Sequence, residues 1–509
     1  MYLVNAQQMR EIDRFAMKEI GIPGIVLMEA AGQAVVKEVE ARWAKARIVV
    51  LAGHGNNGGD AFVVSRHLIN KGFKVDTWLI GSEEKLSADA RTCYEALLRS
   101  RHAVKKWQDH EASELNQDLE QADLIIDGLL GTGARGALRE PLDQVIGEVN
   151  RQPKAYILSI DLPSGVCADT GAIHDQAIQA DVTVTFASPK WGQYLFPGSS
   201  QCGELIVRDI SIPSWVHEQA GVKDHVLDKK SMGQLLPRRP RHSHKGTYGH
   251  VLIVAGCADY VGAPALASMG AVRSGSGMVT LAIPKSIQPM VAGKMTEPIY
   301  WLWPEEEGYL SKDSWKLLSE RQGRYDFTIV GPGIGQAPCR EWLEQVIRHT
   351  QGPLLLDADA LTLLAKDLTM IQGRESVVLT PHPGEMARLT GLTAQQVEAQ
   401  RPLIARQFAV QHQVYIVLKG TYPIIATPQG ELFVSPRGSS SLAKGGSGDV
   451  LSGMIASFAN QTGNILSGLL LGVYLHGMSG EFMDEYSGAA SDLGHWIGRA
   501  IHDLSSVEA

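Results

Sequence analysis

The sequence lacks an apolar run that could cross a bilayer. A transmembrane helix needs about 20 consecutive apolar residues, whereas the apolar segment "ILSGLLLGVYL", which begins at Ile465, is shorter and contains serine and glycine. A buried helix explains this segment better. The first residues also lack the basic and then apolar layout of a signal peptide. We therefore expect a protein that has no membrane partner.

Cysteine is scarce, and positive charge is not in excess. Five widely spaced cysteines form neither a C-x-x-C pair nor a zinc-finger pattern: Cys93, Cys167, Cys202, Cys257 and Cys339. That arrangement predicts a reduced, cytoplasmic chain without disulfides or structural zinc. The net charge is −8, whereas surfaces that coat nucleic acid carry a basic excess. We expect no nucleic-acid partner, although compact anions can still bind at local sites.

The chain has 509 residues, which is too many for a single core of about 100 to 200 residues. Short apolar runs alternate with helix-length segments in both halves, and this alternation is typical of parallel α/β sheets. Near the end, "PIIATPQGELFVSP" resembles a hairpin. Proline and basic residues accumulate between Ile212 and Gly249. We expect an α/β fold with two parallel-sheet domains, residues 1–215 and 225–509, with residues 216–249 as a linker and entry to the second domain.

In the second half, "AKGGSGDVLSG" places three glycines around a serine and then Asp449. Backbone N–H groups freed at a glycine-rich helix start attract anions, so a carboxylate there should repel what the turn attracts. The pattern resembles the ribokinase-like superfamily, in which one reaction uses both groups. The glycines receive a transferring phosphoryl group, and the carboxylate acts as a base toward the attacking hydroxyl.

Four further loops follow strand-like runs of the second half: "CADYVGAPALAS", "GPGIG", "PHPGE" and "KGTYP". Each loop alone is explained by a tight turn, and His382 alone is better explained by structure than by function. Together they favour a ligand site, because ligands in open parallel sheets bind beyond the carboxyl ends of the strands. With "HKGTYGHVLIVAG" and "AKGGSGDVLSG", they resemble the NAD(P)H-hydrate dehydratase family over residues 225–509.

This resemblance implies a set of binding residues in a ribokinase-like domain. The damaged nicotinamide nucleotide would contact Ala263, Gly333, His382 and Asp449. The adenine nucleotide would contact Lys419, Gly420, Thr421, Tyr422, Pro423 and Gly448. Asp449 would be catalytic, ADP would be the co-substrate, and magnesium is compatible with such a site.

The first half contains "GHGNNGGD", which satisfies the G-x-G-x-x-G pattern of Rossmann dinucleotide sites. That pattern also requires an acidic residue at the end of the second strand, about 20 residues further on, whereas Asp76 lies inside "KVDTWLI". Asp127 in "IIDGLLGTGARG" and Asp161 and Ser164 in "LSIDLPSG" provide oxygen atoms at two more strand ends. Buried carboxylates are costly without partners. Turn capping explains each one alone, but three such loops together favour a ligand site.

These three loops resemble the NAD(P)H-hydrate epimerase domain, which is Rossmann-like, over about residues 1–215. The resemblance implies potassium bound by Asn57, Asp127 and Ser164, and Asp161 as the acid/base group. The substrate would contact Asp161 and two runs of residues: Asn56, Asn57, Gly58, Gly59 and Asp60, and Gly131, Thr132, Gly133, Ala134, Arg135, Gly136 and Ala137.

Both halves therefore resemble the bifunctional NAD(P)H-hydrate repair enzymes. The implied function is to epimerise the R and S hydrates of NADH and NADPH, and to dehydrate the S form with ADP, giving AMP and phosphate. The implied partners are these hydrates and an adenine nucleotide, and we expect a homo-oligomer. One alternative is a small-molecule kinase that uses the same "GGSGD" site, joined to an N-terminal nucleotide-binding module. Another is a first domain that binds its ligand without catalysis.

Overall fold

The computed structural model describes residues 1–107, 112–133, 136–321 and 323–506. These residues form two compact units, Met1–Asp224 and His225–Ala509. Each unit is an α/β structure built on a mostly parallel sheet, so the expected fold class is confirmed. Within the described ranges, no helix is long and apolar enough to cross a membrane.

The first unit alternates strands and helices along the chain. Its strands are β1 (Tyr2–Leu3), β2 (Arg47–Ala52), β3 (Lys74–Leu79), β4 (Lys105–Lys106), β5 (Leu124–Gly128), β6 (Tyr156–Ile160), β7 (Val182–Phe186) and β8 (Glu204–Arg208). Its helices are α1 (Ala6–Phe15), α2 (Gly24–Arg42), α3 (Asn56–Asn70), α4 (Ala88–Arg99), α5 (Ala112–Glu120), α6 (Leu142–Asn150) and α7 (Trp215–Gln219). A five-residue π-helix, Ala16–Ile20, directly follows α1.

The sheet of the first unit has the order β4-β3-β2-β5-β6-β7-β8, and every neighbouring pair is parallel. The chain order reverses beside β2, because β3 lies on one side of this strand and β5 on the other. Strand β5 and most of β2 are buried, as expected for a parallel sheet covered by helices. Ligands bind beyond the carboxyl ends of strands at such a reversal, where β2, β5 and β6 lead into the predicted site.

The second unit continues the alternation. Its strands are β9 (Asp224–Val226), which crosses the boundary, β10 (His250–Val254), β11 (Met278–Pro284), β12 (Ile299–Trp303), β13 (Glu305–Glu306), β14 (Tyr309–Leu310), β15 (Phe327–Val330), β16 (Leu354–Leu356), β17 (Val377–Leu379), β18 (Tyr415–Leu418), β19 (Ile424–Ala426) and β20 (Leu432–Val434). Its helices are α8 (Lys229–Leu235), α9 (Ala263–Arg273), α10 (Gln288–Ala292), α11 (Arg340–His349), α12 (Asp359–Leu364), α13 (Pro383–Thr390), α14 (Ala394–Ala399), α15 (Arg401–His412), α16 (Ser447–Thr462), α17 (Ile465–Glu481) and α18 (Leu493–Ser505).

The sheet of the second unit has the order β9-β20-β19-β18-β17-β16-β15-β10-β11-β12. Its central strands are parallel, whereas β19 is antiparallel to both β18 and β20, which confirms the hairpin. The chain order reverses beside β10, which pairs with β11 and β15. The apolar segment that begins at Ile465 is the largely buried helix α17, as expected.

The segment 216–249, which we expected to be a linker, is partly folded into both units. It contains most of α7 together with β9 and α8. Val216 and Val222 are buried in the core of the first unit, and Leu227 and Met232 are buried in the core of the second. The boundary between the units lies after residue 224. The buried apolar residues before it pack in the first core, and those after it pack in the second.

Candidate functional sites

The first unit has a cavity of about 510 Å³ at the carboxyl ends of β2, β5 and β6. Several residues predicted to contact the substrate line it: Asn56, Asn57, Asp60, Gly131, Thr132, Gly133 and Asp161. Gly136 and Ala137 line a second cavity of about 730 Å³, which shares His54 and Leu130 with the first. Ala134 and Arg135 lie outside the described residues.

Gly58 and Gly59 are needed for packing. A Cβ atom on Gly58 would lie 1.9 Å from the carbonyl oxygen of Gly53, and one on Gly59 would lie 2.5 Å from Sδ of Met28. Glycine at position 58 lets α3 start against the residue that follows β2, and glycine at position 59 lets α3 pack against Met28 of α2. Their role in binding substrate therefore stays a prediction, whereas their role in folding follows from these contacts.

Asp127 is fully buried at the end of β5 and accepts four hydrogen bonds. Its carboxylate oxygens accept from Oγ of Ser159 at 2.9 Å, from the backbone N–H of Ser164 at 2.9 Å, from Oγ of Ser164 at 2.6 Å and from the N–H of Leu129 at 3.2 Å. Burial raises the pKa of Asp127 despite these bonds. The carboxylate thus joins the loops after β5 and β6.

Asn57 is brought to the same place through Leu130. Its Nδ2 donates to the carbonyl oxygen of Leu130 at 2.8 Å, and the N–H of Leu130 donates to Oγ of Ser164 at 2.9 Å. Within the described residues, Oδ1 of Asn57 is buried without a hydrogen-bond partner, and such an atom is costly unless a ligand satisfies it. The backbone of Leu130 thus links Asn57 to Ser164, and Ser164 is bonded to Asp127, so the three oxygen-bearing side chains lie in one network.

Asp161 follows β6 with a backbone φ of 65°, a left-handed conformation that non-glycine residues rarely adopt outside functional sites and turns. Gln193 donates to its carbonyl oxygen at 2.7 Å. Its carboxylate accepts from Oγ1 of Thr185 at 2.9 Å and from the ammonium of Lys190. The Lys190 side chain is only 1% exposed, so the ion pair is almost entirely shielded from water.

Two further carboxyl groups face the same cavity, those of Asp13 and Asp60. Burial raises the pKa of Asp13 to about 6, with Lys190 lowering it and Asp161 raising it. Burial raises the pKa of Asp60 well above its ordinary value, and the charges of Asp161 and Asp13 act in the same direction. Sequence reasoning missed Asp13 and Lys190, which the fold brings to this cavity from a distant helix and loop.

In the second unit, the glycine-rich turn leads into α16. Gly446 is the N-terminal cap and has a φ of 95°, which favours glycine. A Cβ atom on Gly445 would meet no other atom within 4 Å, so open space lies beside the turn. The free N–H groups of the first helical turn make this start attractive to anions.

Asp449 lies in the first turn of α16. Its pKa is raised to about 7, mainly by burial and also by the charges of Asp357 and Asp359, whereas the charge of Lys419 lowers it. A carboxylate whose pKa is close to neutral is well matched to take a proton at physiological pH. Asp449 thus lies beside the anion-attracting turn, and its role as the base stays a prediction.

Lys419 connects Asp449 to a buried network that the sequence did not reveal. Its Nζ donates to Oδ1 of Asp357 at 2.9 Å, and Oδ2 of Asp357 accepts from Oγ of Ser452 at 2.7 Å. Burial alone would lower the pKa of Lys419, but Asp357 and Glu385 outweigh it and raise the pKa. A Cβ atom on Gly448 would lie 3.4 Å from this Nζ. The ammonium thus lies against the first turn of α16.

His382 caps helix α13. Its Nδ1 accepts from the N–H groups of Gly384 at 3.0 Å and Glu385 at 3.3 Å, and the Glu385 carboxylate accepts from the N–H of His382 at 2.8 Å. Burial lowers the pKa of His382, and Lys419 and Arg388 act in the same direction. Capping of α13 therefore explains Nδ1 of His382 without any ligand. Nε2 stays the ring atom that could contact a ligand.

The remaining predicted residues of the second unit lie on loops beyond the strand ends. Gly333 has a φ of 62°, and a Cβ atom there would lie 2.9 Å from Cβ of Ala263 and 2.7 Å from Cβ of Tyr260, so the "GPGIG" loop touches the start of α9.

The loop of Lys419, Gly420, Thr421, Tyr422 and Pro423 is fixed by buried Arg401, which donates to the carbonyl oxygens of Leu418 and Lys419 at 3.1 Å. Its role in nucleotide binding stays a prediction.

These features define a two-domain α/β protein with an acidic cavity in one unit and an anion-attracting helix start beside an aspartate in the other. Residues 251–502 match the family described as NAD(P)H-hydrate dehydratase, and residues 24–192 match the family described as YjeF-related protein N-terminus.

The full-length relatives extend this match. The chain is 40% identical to the bifunctional NAD(P)H-hydrate repair enzyme Nnr of Moorella thermoacetica, covering 94% of this chain and 92% of the relative. It is 32% identical to the enzyme of the same name from Escherichia coli, covering 99% and 96%. The chain belongs to the family of bifunctional NAD(P)H-hydrate repair enzymes. The resemblance identified from the sequence is confirmed, and the alternative of a small-molecule kinase is not favoured.

Solved structures align with part of the chain. An ADP/ATP-dependent NAD(P)H-hydrate dehydratase from Bacillus subtilis, co-crystallised with ATP and Mg²⁺, is 32% identical with a TM-score of 0.48, covering 55% of this chain and 98% of its own. A ribokinase-like superfamily protein from Enterococcus faecalis is 25% identical with a TM-score of 0.49, covering 56% and 97%.

Proposed function

We propose that the first unit interconverts the R and S hydrates of NADH and NADPH, and that the second unit dehydrates the S form with ADP. The observation that carries this proposal is the match over nearly the full chain to bifunctional repair enzymes, supported by a candidate acid/base aspartate in each unit. The reaction of the second unit would give NAD(P)H, AMP and phosphate.

In the second unit, Asp449 takes the proton of the ring hydroxyl as that oxygen receives the β-phosphoryl group of ADP, and AMP is released. The N–H groups at the start of α16 and the ammonium of Lys419 stabilise the charge on the transferred group. Loss of phosphate together with a neighbouring ring proton then restores the double bond, because phosphate leaves more readily than hydroxide.

The binding residues follow the predicted assignment. The hydrate would contact Ala263, Gly333 and His382, and the nucleotide would lie along residues 419–423 and Gly448. Magnesium that accompanies the nucleotide would require oxygen ligands. Asp357 and Asp359, whose charges raise the pKa of Asp449, supply groups of this kind.

In the first unit, the cavity lined by Asn56, Asn57, Asp60 and Gly131 holds the hydrate, and Asp161 transfers the proton. Two routes reverse the configuration, ring opening and loss of water. Asp161 suits either one, because Lys190 and Thr185 fix its carboxylate at the cavity.

Potassium suits the oxygen atoms of Asn57, Asp127 and Ser164. The unpartnered Oδ1 of Asn57 supports this assignment, since a hard cation prefers oxygen ligands and would satisfy that atom. When bound, potassium would stabilise negative charge that develops on oxygen. Epimerase activity should fall when potassium is rigorously replaced by a large organic cation, and Asn57→Ala should abolish the response. Equal rates with and without potassium would contradict the assignment.

Complementation between two variants tests the pairing of the two reactions. Given a mixture of R and S hydrates with ADP, Asp161→Asn protein should restore the absorbance of the S fraction quickly and then stall. Asp449→Asn protein should restore none. Mixing the two variants should carry the reaction to completion, because each supplies the step that the other lacks. Consumption of both epimers by Asp161→Asn protein at the wild-type rate would instead favour a first domain that binds without catalysis.

A homo-oligomeric state and a cytoplasmic location stay predictions.

A further inference from the structure

Asp13 interrupts the apolar face of helix α1. Ala6, Met9, Ile12 and Ala16 are buried, and the spacing of positions 6, 9, 13 and 16 puts Asp13 on the same face of the helix. An apolar residue at this position would extend the core. A carboxyl group there costs free energy unless it is partnered or serves a function.

The chain fixes α1 beside Lys190 through several contacts. The Val4 N–H donates to the carbonyl oxygen of Pro189 at 3.1 Å, and the Trp191 N–H donates to that of Val4 at 3.1 Å, so Val4 pairs with the backbone on both sides of Lys190. The N–H of Ala6 donates to Oδ1 of Asp169 at 2.6 Å. The start of α1 is therefore tied to both loops that hold the Lys190–Asp161 pair.

The carboxyl group of Asp13 faces the cavity, and within the described residues it has no hydrogen-bond or ion-pair partner. The helix ends directly after it in the π-helix Ala16–Ile20, a rare form that is frequent at functional sites. The other ionisable groups lining the cavity are Arg10, His54, Asp60, Asp89, Asp161 and Lys190. Asp13 is therefore a preorganised and unengaged carboxyl group at the place where the proposed reaction occurs.

Epimerisation needs proton transfer on two faces of one carbon. In the loss of water, the hydroxyl leaves one face of the carbon and water adds to the other. In ring opening, the hydroxyl becomes a carbonyl, and a hydroxyl forms again with the opposite configuration when the ring closes. A carboxylate fixed by Lys190 and Thr185 reaches only one of these positions. A second group is therefore required for the other configuration, and the cavity must hold it on a different element.

We propose that Asp13 and Asp161 are the two proton-transfer groups of the epimerase, one for each configuration of the hydroxyl-bearing carbon. This inference rests on the proposed epimerase function of the first unit. Lys190 is a positioning residue that fixes Asp161 through their ion pair and fixes α1 through the pairing of its backbone with Val4.

The ring-opening route moves one proton onto one carboxylate and one proton off the other carboxyl group. One carboxylate accepts the hydroxyl proton as the carbon–nitrogen bond breaks, and the bonding electrons pass to the ring nitrogen and its conjugated carboxamide. The nitrogen then attacks the opposite face of the carbonyl, and the new alkoxide takes a proton from the other carboxyl group. One group gains the proton that the other loses, and proton exchange with water in the cavity resets the pair before the next turnover. Two interacting acids that share one proton suit this cycle.

The test measures interconversion of separated R and S hydrates by chromatography without ADP, so that the second unit does not turn over. Asp13→Asn should slow interconversion by about 100-fold or more, and Asp13→Glu should partly restore it. Glu11→Gln is the matched control, because Glu11 lies on the same helix and pairs with Arg14 at the surface. Dehydration of S hydrate with ADP by the same Asp13→Asn protein should be unchanged.

The pH profile separates proton transfer from a structural role. The pair works with one proton between its two carboxyl groups. Because burial raises the pKa of Asp13 to about 6, that proton is lost above this pH, so wild-type interconversion should fall as the pH rises through about 6. The Asp13→Asn variant should lack this limb. The proposal is overturned if Asp13→Asn interconverts the hydrates as fast as Glu11→Gln, or if the slowed variant keeps the limb. If wild-type protein itself gives no acceleration, the epimerase function fails instead.

Discussion

The two candidate sites use the same components in different ways. Each places a lysine, buried in the first unit and partly exposed in the second, among several carboxyl groups beyond the ends of parallel strands. In the first unit, Lys190 pairs with Asp161, the predicted acid/base group itself. In the second, Lys419 pairs with Asp357 at 2.9 Å, and the pKa of the predicted base Asp449 is raised to about 7. The lysine thus pairs directly with the predicted acid/base group in the first unit, whereas in the second it pairs with Asp357, whose charge acts on the predicted base.

This difference suits the two proposed reactions. A base that acts once on a hydroxyl gains from a pKa close to the working pH, and Asp449 has that property. A group that must hold one position while a carbon changes configuration gains instead from being fixed. Asp161 is fixed by the Lys190 ion pair, by the Thr185 hydroxyl and by its left-handed backbone.

The largest expected effect is on turnover of the second unit. Asp449→Asn should slow dehydration of S hydrate by about 100 to 10,000-fold, the usual cost of losing a general base, while ADP affinity measured by calorimetry stays close to that of wild type. Asp313→Asn serves as the control, since Asp313 pairs with Lys316 at the exposed surface. Near-wild-type turnover of the Asp449→Asn protein would remove Asp449 from the role of base.

The second effect is on the free energy of unfolding, which should fall clearly in Asp161→Asn protein and little in Asp449→Asn protein. Asp161→Asn leaves the buried ammonium of Lys190 without its ion-pair partner and should cost about 1–3 kcal/mol of unfolding free energy. Asp449→Asn should cost little, because burial already disfavours the charged form of Asp449 and an amide carries no charge. Urea unfolding at pH 8 compares both variants with wild type. Equal losses for the two variants would contradict the contrast drawn between the two sites.

Much of the fold could be predicted because it depends on local patterns. The run "RIVVLA" is β2, "VTVTF" is β7 and "PIIATPQGELFVSP" contains the β19–β20 hairpin. Asn57, Asp127 and Ser164 could be grouped because each follows the end of a parallel strand, and such ends meet at one edge of a sheet. The sequence also indicated an anion-binding role for the glycines of "GGSGD", but it did not show what the glycines of "GNNGGD" do.

The glycines divide by what surrounds them. Gly58 closely approaches the backbone of Gly53, so it is required by packing, whereas Gly445 borders open space. Asp13, Lys190 and Asp357 were missed for a related reason. Their roles depend on contacts between residues far apart in the chain, such as Val4 with the backbone around Lys190 and Asp357 with Ser452. The only local signal was an acidic residue in the apolar stripe of α1.

The smallest expected effect tests whether the Lys419–Asp357 pair sets the pKa of Asp449. Asp357→Asn keeps an oxygen that can accept from Lys419. It replaces the oxygen that accepts from Ser452 with an amide N–H that can donate to the same hydroxyl, and it removes one negative charge. The charge of Asp357 raises the pKa of Asp449, and that of Lys419 lowers it. The substitution removes the charge of Asp357, which raises this pKa, and leaves the charge of Lys419, which lowers it. The pKa of Asp449 should therefore fall.

Because Asp449 must be ionised to act as a base, the wild-type rate of dehydration should rise with pH through about 7. In Asp357→Asn protein this rise should occur at lower pH, with a smaller change in the maximum rate than Asp449→Asn produces. The measurement is kcat/KM for S hydrate with saturating ADP across pH 5 to 9. Asp367→Asn is the control, since Asp367 pairs with Arg340. A rise that stays at the wild-type pH would show that burial alone sets the pKa of Asp449, and the two lysine pairs would then differ in geometry but not in their effect on the base.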